Sequence, residues 1–330
     1  MTDIRWGIIG CGDVTEVKSG PALQKAHGSS LVAVMRRNAA KAADYARRHG
    51  VPAWYADADA LLADPNVNAV YVATPPASHA DYCLRALAAG KPVYVEKPMA
   101  RTAEECRRMT GAASAARLPL FVAYYRRCLP RFVKAKQLID AGAIGDVRTV
   151  LVTLWRPPLE SDISGPGAWR TDAAVAGGGL FVDLASHTLD LLDHLCGPIT
   201  HADGHATNLA GAYAAEDTVA GHFTFASGAL GVGSWCFAAG TSRDEVEIVG
   251  SRGRLVFSTF GERPVTLETA AGAEAFDIPH PPHVQQPLVQ TVVDALLGRG
   301  ECPSTGGSAM RTSVVLDAML AGWRATHPLP

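Results

Sequence analysis

Apolar residues fall in short runs through the first third of the chain and in alternation through much of the remainder. Residues 5–10 (RWGIIG), 31–35 (LVAVM), 69–74 (AVYVAT), 93–96 (VYVE) and 120–124 (LFVAY) are too short for helices and apolar at successive positions. Strands buried on both faces have this pattern. Helical spacing follows the first run and recurs over 39–49, 77–89 and 102–116. Strand-helix alternation predicts an α/β unit with a parallel sheet covered by helices on both faces. Farther along, residues 147–156, 217–237 and 244–260 alternate apolar with polar positions and break at Ser-Gly and Arg-Gly pairs. That pattern predicts consecutive hairpins.

Composition narrows the class. With 330 residues the chain is long for one core, so two domains are expected. It is 48% hydrophobic and 19% charged, with a net charge of -2 and no concentrated basic face. Nucleic acid and anionic membranes are therefore not expected partners, which leaves small-molecule chemistry. Seven scattered cysteines without a CxxC pair read as reduced thiols. The start MTDIRWGIIGCG lacks the pattern of a signal peptide, and no apolar run reaches membrane-spanning length. The expected setting is cytoplasmic.

Candidate chemistry gathers where strands end. Gly10-Cys11-Gly12-Asp13-Val14-Thr15 is a glycine fingerprint without its third glycine. Gly10 permits a tight turn, and Gly12 lets a pyrophosphate approach the backbone. Thr15 in the third place predicts looser helix-strand packing. The second strand ends Met35-Arg36-Arg37-Asn38, where an NAD site usually places an acid. Two guanidiniums there suit a 2'-phosphate, so NADP(H) is expected ahead of NAD(H), which stays possible. After the third strand, Thr74 and Pro75 are expected to line the cofactor, with His79 over the ribose. The fourth run ends without a turn residue in Glu96-Lys97-Pro98. A lysine at the mouth of a low-dielectric site can exchange a proton near neutrality.

GIIGCG, then VYVATPPASHADYCLRALAAGKPVYVEKPMA, then LFVAYYRRCLPRFVKAKQLIDAGAIGDV together resemble the glucose-fructose oxidoreductase, inositol dehydrogenase and MocA (Gfo/Idh/MocA) family. The resemblance implies a Rossmann domain, here 1–124, followed by an α/β domain with a large, open, mainly antiparallel sheet, here 125–330. It implies that Lys97 stands beside the nicotinamide and the substrate oxygen, steadied by Glu96, with a cis peptide before Pro98. It also implies a helix bearing an aspartate and a histidine after three glycines. Residues 167–197 carry that arrangement, with Asp183 and His187 on one face of a helix expected over 180–196. Trp169 and Arg170 resemble the family's pair near cofactor and substrate.

The expected function is an NADP(H)-dependent oxidoreductase acting on a sugar, polyol or related hydroxy or keto compound. Its catalytic set is Lys97, His187 and Asp183, with Lys97 and His187 the two candidates for the transferred proton. Lys18, Tyr125 and Arg126 are further substrate-binding candidates on position alone. The alternative is a cofactor-dependent glycoside hydrolase or a redox-inactive sensor of the same fold. No metal is expected: His187, Asp190 and His194 share a face, but nothing upstream supplies matching ligands. A homo-dimer or tetramer through the second sheet is the assembly the resemblance implies.

Overall fold

The computed structural model describes residues 2–329, which pack as two compact units. The first contains the chain up to Ala100, then Glu104–Cys128 and Pro281–Met310; the second contains Arg101–Ala103, Leu129–His280 and the residues from Arg311 onward.

The first unit is built on six strands: β1 (Ile4–Ile9), β2 (Ser29–Met35), β3 (Ala53–Tyr55), β4 (Ala69–Val72), β5 (Val93–Val95) and β6 (Leu120–Val122). They run parallel in the order β3-β2-β1-β4-β5-β6. The order reverses between β1 and β4, and at such a switch point the loops leaving the strand ends open a crevice. The expected helix over 39–49 is Ala39–His49, started by Asn38, whose side chain accepts from the Lys41 N–H, and ended by Gly50 at φ 63°. β3 and the helix Ala58–Ala63 lie where no element was expected. Three residues are too few to show a period, and β3 owes its form to pairing with Ala33–Met35.

One segment returns late. Helix Gln286–Leu296 buries Leu288, Val289, Val292 and Val293 in the cluster that holds Ile4, Trp6, Ile8 and Leu31. A single split at 124/125 therefore does not describe the first unit, which runs to Cys128 and takes back 281–310.

The second unit contains β7 (Val147–Trp155), β8 (Ile199–Thr207), β9 (Thr218–Phe225), β10 (Leu230–Cys236), β11 (Arg243–Gly250), β12 (Gly253–Phe257), β13 (Val265–Thr269) and β14 (Gly272–Phe276). Their order is β14-β13-β12-β11-β7-β10-β9-β8, antiparallel except where β7 meets β10. The hairpins β9-β10 and β11-β12 turn at the expected Ser-Gly and Arg-Gly pairs. β8, β13 and β14 were not foreseen, because few of their residues are buried and the apolar alternation is faint. Alternate residues such as Val150, Val152, Phe223, Trp235, Val246 and Ile248 make the inner face.

Candidate active site

In the first unit the turn after β1 is pinned by Met35, whose carbonyl accepts from the Gly10 and Cys11 amides at 2.9 and 3.1 Å. Gly10 sits at φ 93°, and a Cβ there would lie 2.6 Å from Thr74 Cγ2. Gly12 differs: a Cβ would meet nothing nearer than the Gly10 carbonyl at 3.8 Å. The fold does not require glycine at 12, whereas a diphosphate lying on that backbone would. Asp13 and Val14 follow as the first residues of the short helix Asp13–Val17, and a second helix starts at Gly20-Pro21, which breaks the two apart. Thr15 corrects an expectation. It is fully buried, its hydroxyl donates to the Gly12 carbonyl at 2.7 Å, and its carbonyl accepts from Tyr45. Packing there is tight, and the close approach falls to Gly20, where a Cβ would sit 2.2 Å from the Thr15 carbonyl oxygen.

Arg36 and Arg37 follow β2, half-buried and exposed, and among the described residues neither guanidinium has an ion pair. Arg47 and Arg48 on the next helix are by contrast held by Asp44 and Glu16. The Arg36 charge reaches the fingerprint turn: burial pushes the Cys11 thiol up to about 11, with Arg36 the first influence opposing it. Asn38, expected to bind cofactor, spends its side-chain oxygen on the helix cap. Thr74 presents a buried hydroxyl with no hydrogen-bond partner among the described residues, and Pro75 is exposed beside it. His79 is not over any ligand-accessible surface. It is fully buried, its ring nitrogens lie 2.6 Å from the Thr74 carbonyl and 3.0 Å from that of Pro98, and burial lowers its pKa. It is a strut joining two strand-end loops.

The end of β5 carries a buried polar cluster. Glu96 Oε1 accepts from the Tyr71 hydroxyl and from Gln285 Nε2, both at 2.6 Å, and Oε2 accepts from the Lys97 backbone N–H at 3.1 Å. Tyr94 donates to Gln285 Oε1 at 3.1 Å. These bonds hold Glu96 as an acceptor and fix the backbone that bears Lys97. The Lys97-Pro98 peptide is cis, and Lys97 is half-buried where Glu96 and Pro98 on either side are buried. Gln285 lies 189 residues from Glu96 and was not foreseen. His283 precedes Gln285 by two residues and also makes a long-range contact. Its Nε2 accepts from Lys25, which leaves Nδ1 as the donor to the Val17 carbonyl at 2.8 Å. Lys18 is exposed at the end of the first helix, and Tyr125 and Arg126 form a turn in which Arg126 Nη1 donates to the Tyr125 hydroxyl at 3.1 Å.

The second unit brings together Trp169, Arg170, Asp183 and His187. The Arg170 guanidinium lies 4.7 Å from the Trp169 ring centroid, and its Nε is 3.5 Å from Asp183 Oδ2. Asp183 and His187 are 7% and 4% exposed, unusually low for side chains that titrate. The helix expected over 180–196 is two pieces: Phe181–Ala185 is a π-helical turn and Ser186–Cys196 is α-helical. Such widened turns often mark functional sites. Phe260 packs edge-on against His187 with ring centroids 5.8 Å apart. Asp244 sets that loop by accepting from the amides of Thr259, Phe260 and Gly261. Asp190 accepts from Thr312 and Asp193 pairs with Arg311. Among the described residues no group of three or more His, Cys, Asp or Glu could hold a metal ion.

Of the three glycines before this helix, Gly178 and Gly179 make room for Glu216, while Gly177 lies against Arg101. A Cβ at Gly178 would fall 3.1 Å from Glu216 Oε1, and one at Gly179 2.4 Å from the Glu216 carbonyl oxygen. The carboxylate, 1% exposed, accepts from the Gly179 N–H at 2.7 Å. Desolvation pushes its pKa from 4.5 up to about 7, against the opposing pull of that hydrogen bond. Because the folded value is the higher, this acid favours the fold below pH 4.5, and the advantage is lost as pH rises to about 7. Over that window the difference amounts to about 3 kcal/mol. Glu216→Gln, neutral throughout, is expected to gain stability relative to the parent chain between pH 5 and pH 8. Urea midpoints of the two proteins check this; curves that stay parallel would count against a buried acid.

Each half of this arrangement matches known proteins. Residues 4–124 match the oxidoreductase family with an NAD-binding Rossmann fold, and residues 132–256 match the GFO/IDH/MocA C-terminal domain. The protein is thus an oxidoreductase whose first unit is an NAD-binding Rossmann fold. The chain belongs to the Gfo/Idh/MocA family. An oxidoreductase of Formosa agariphila is 38% identical over 95% of this chain and 97% of its own. The 1,5-anhydro-D-fructose reductase of Ensifer adhaerens is 29% identical over 92% and 91%. Among solved structures, levoglucosan dehydrogenase in complex with NADH and levoglucosan superposes with a TM-score of 0.84 at 24% identity, over 97% of this chain and 96% of that one. It supports the fold. No helix among the described residues is long and apolar enough to cross a membrane.

Proposed function

We propose that this protein is an NADP(H)-dependent oxidoreductase that moves a hydride between nicotinamide and a carbinol or carbonyl carbon of a sugar, polyol or related compound. The observation that carries the reading is the buried Asp183 and His187 on one helix, with Arg170 on Asp183, in a chain whose other unit is an NAD-binding fold. Relatives named for 1,5-anhydro-D-fructose and scyllo-inositol support the substrate class.

The residues fit a dinucleotide. The open backbone of Gly12 with Gly10, Asp13 and Val14 takes the diphosphate, the unpaired Arg36 and Arg37 take a 2'-phosphate, and the unsatisfied Thr74 hydroxyl with Pro75 takes the ribose side. When bound, the dinucleotide supplies or accepts the hydride. Lys97, on a backbone fixed by Glu96, donates to the substrate oxygen as a carbonyl is reduced and takes the proton back in the reverse direction. Asp183 binds a neighbouring hydroxyl, and His187 is the second group able to carry the proton. Trp169 and Arg170 stand with Asp183 in the second unit, and Tyr125, Arg126 and Lys18 are assigned to substrate recognition. The test is a panel of 1,5-anhydro-D-fructose with NADPH or NADH, and of scyllo-inositol and levoglucosan with NADP+ or NAD+. Turnover is expected with the phosphorylated cofactor on at least one compound, and silence across the panel would overturn the substrate class.

We also propose a homo-oligomer packed through the second sheet. Leu151, Leu230 and Val232 are 45%, 58% and 52% exposed on the outer face, with Leu151 and Val232 paired across β7 and β10. Exposed apolar groups this close together mark an interface. Leu230→Asp with Val232→Asp is expected to give a monomer by light scattering. A double variant that keeps the parent mass, or a monomeric parent, would refute this.

A further inference from the structure

Asp183 is tied to a residue outside the catalytic set. The Gly179 N–H donates to Glu216 Oε1 at 2.7 Å, and the Gly179 carbonyl accepts from the amides of Val182 and Asp183 at 3.1 and 3.4 Å. One peptide residue therefore joins Glu216 to the backbone of Asp183. The same glycine run is held at its other end, where Arg324 Nη2 donates to the Gly177 carbonyl at 2.7 Å while Nη1 pairs with Asp317. The run itself has no room for side chains, since a Cβ on Gly177, Gly178 or Gly179 would meet the Arg101 carbonyl oxygen, Val182 Cγ2 and the Glu216 carbonyl oxygen at 2.6, 2.5 and 2.4 Å.

We propose that Glu216 is a positioning residue for the substrate-binding Asp183: its carboxyl group fixes Gly179, and Gly179 fixes where the π-helical turn begins. The Asp183 carboxylate stands on that turn, and the His187 ring, four residues on, stands in the first turn of the α-helix that continues from it. The groups around the Glu216 carboxyl are Arg324, whose charge favours its ionised form, and Asp217 beside it, whose charge opposes it; the Tyr213 hydroxyl also feels its charge. Asp217 is itself occupied by the amides of Leu209 and Ala210 and the Thr218 hydroxyl. Glu216 thus acts on Asp183 through an acceptor atom, which a neutral amide also provides.

This rests on the role given to Asp183 above, so the test has a readout independent of turnover. In Glu216→Asp the acceptor retracts by one methylene; in Glu216→Gln it stays. Amide hydrogen exchange over residues 178–187, measured on the full chain without substrate, is expected to quicken about tenfold in Glu216→Asp with the sheet strands unchanged, and to stay within about threefold of the parent in Glu216→Gln. For the panel compound that turns over, kcat/KM is expected to fall about tenfold to a hundredfold in Glu216→Asp. The dinucleotide dissociation constant should not move. In an Asp183→Asn background the same change should cause little further loss. Unchanged exchange at 178–187, or a rise spread evenly over the second unit, would overturn the inference, as would additive losses in the double variant. If Asp183→Asn keeps full turnover, the role of Asp183 falls instead, and the exchange result still decides whether Glu216 holds it.

Discussion

Lys97→Met is expected to reduce kcat about a thousandfold while leaving the dinucleotide dissociation constant within about threefold. The separation follows from where Lys97 sits. Its backbone is fixed by the Glu96 carboxylate, and Glu96 is in turn held by Tyr71 and Gln285. Methionine keeps the length of the side chain and leaves those bonds untouched, so only the ammonium is lost. His187→Gln is the control. If His187 moves the proton instead, the large loss appears there and Lys97→Met changes mainly KM. A Lys97→Met enzyme with parental kcat removes the lysine from the chemistry.

The second large effect concerns the cofactor. Replacing Arg36 and Arg37 together by alanine is expected to weaken NADPH binding about tenfold to a hundredfold and leave NADH within about threefold, as for loss of charge-assisted bonds worth about 1.5–3 kcal/mol. Among the described residues the guanidiniums have no carboxylate partner to compete for them, and no acid stands between Met35 and Asp44 to hold a ribose hydroxyl. Isothermal titration of both dinucleotides reads this directly. Tighter binding of NADH than NADPH by the parent chain would invert the assignment.

The first unit was largely legible in the sequence because its signals are local. Runs such as AVYV and LFV are buried on both faces, and the helix Ala39–His49 carries its own cap and stop. What could not be read depends on distant partners. Glu216 lies 37 residues from Gly179, and Gln285 lies 189 from Glu96; neither spacing has a period or motif. The same holds for helix Gln286–Leu296, whose apolar face looks like any other until Trp6 and Ile8 are found against it. His79 misled for a related reason: its place at a strand end suggested a ligand, whereas the Thr74 and Pro98 carbonyls consume it. The glycine run 177–179 was visible as a motif, but the neighbours that crowd it, Arg101 at Gly177 and Glu216 at Gly178 and Gly179, were not.

Net redox turnover is read by following nicotinamide absorbance and product together in one reaction. With the panel compound that reacts, one nicotinamide is expected to change oxidation state for each product molecule formed. Product that accumulates while the absorbance returns to its starting value would rule out net redox turnover, since the cofactor would then be regenerated within each cycle, as in a hydrolase.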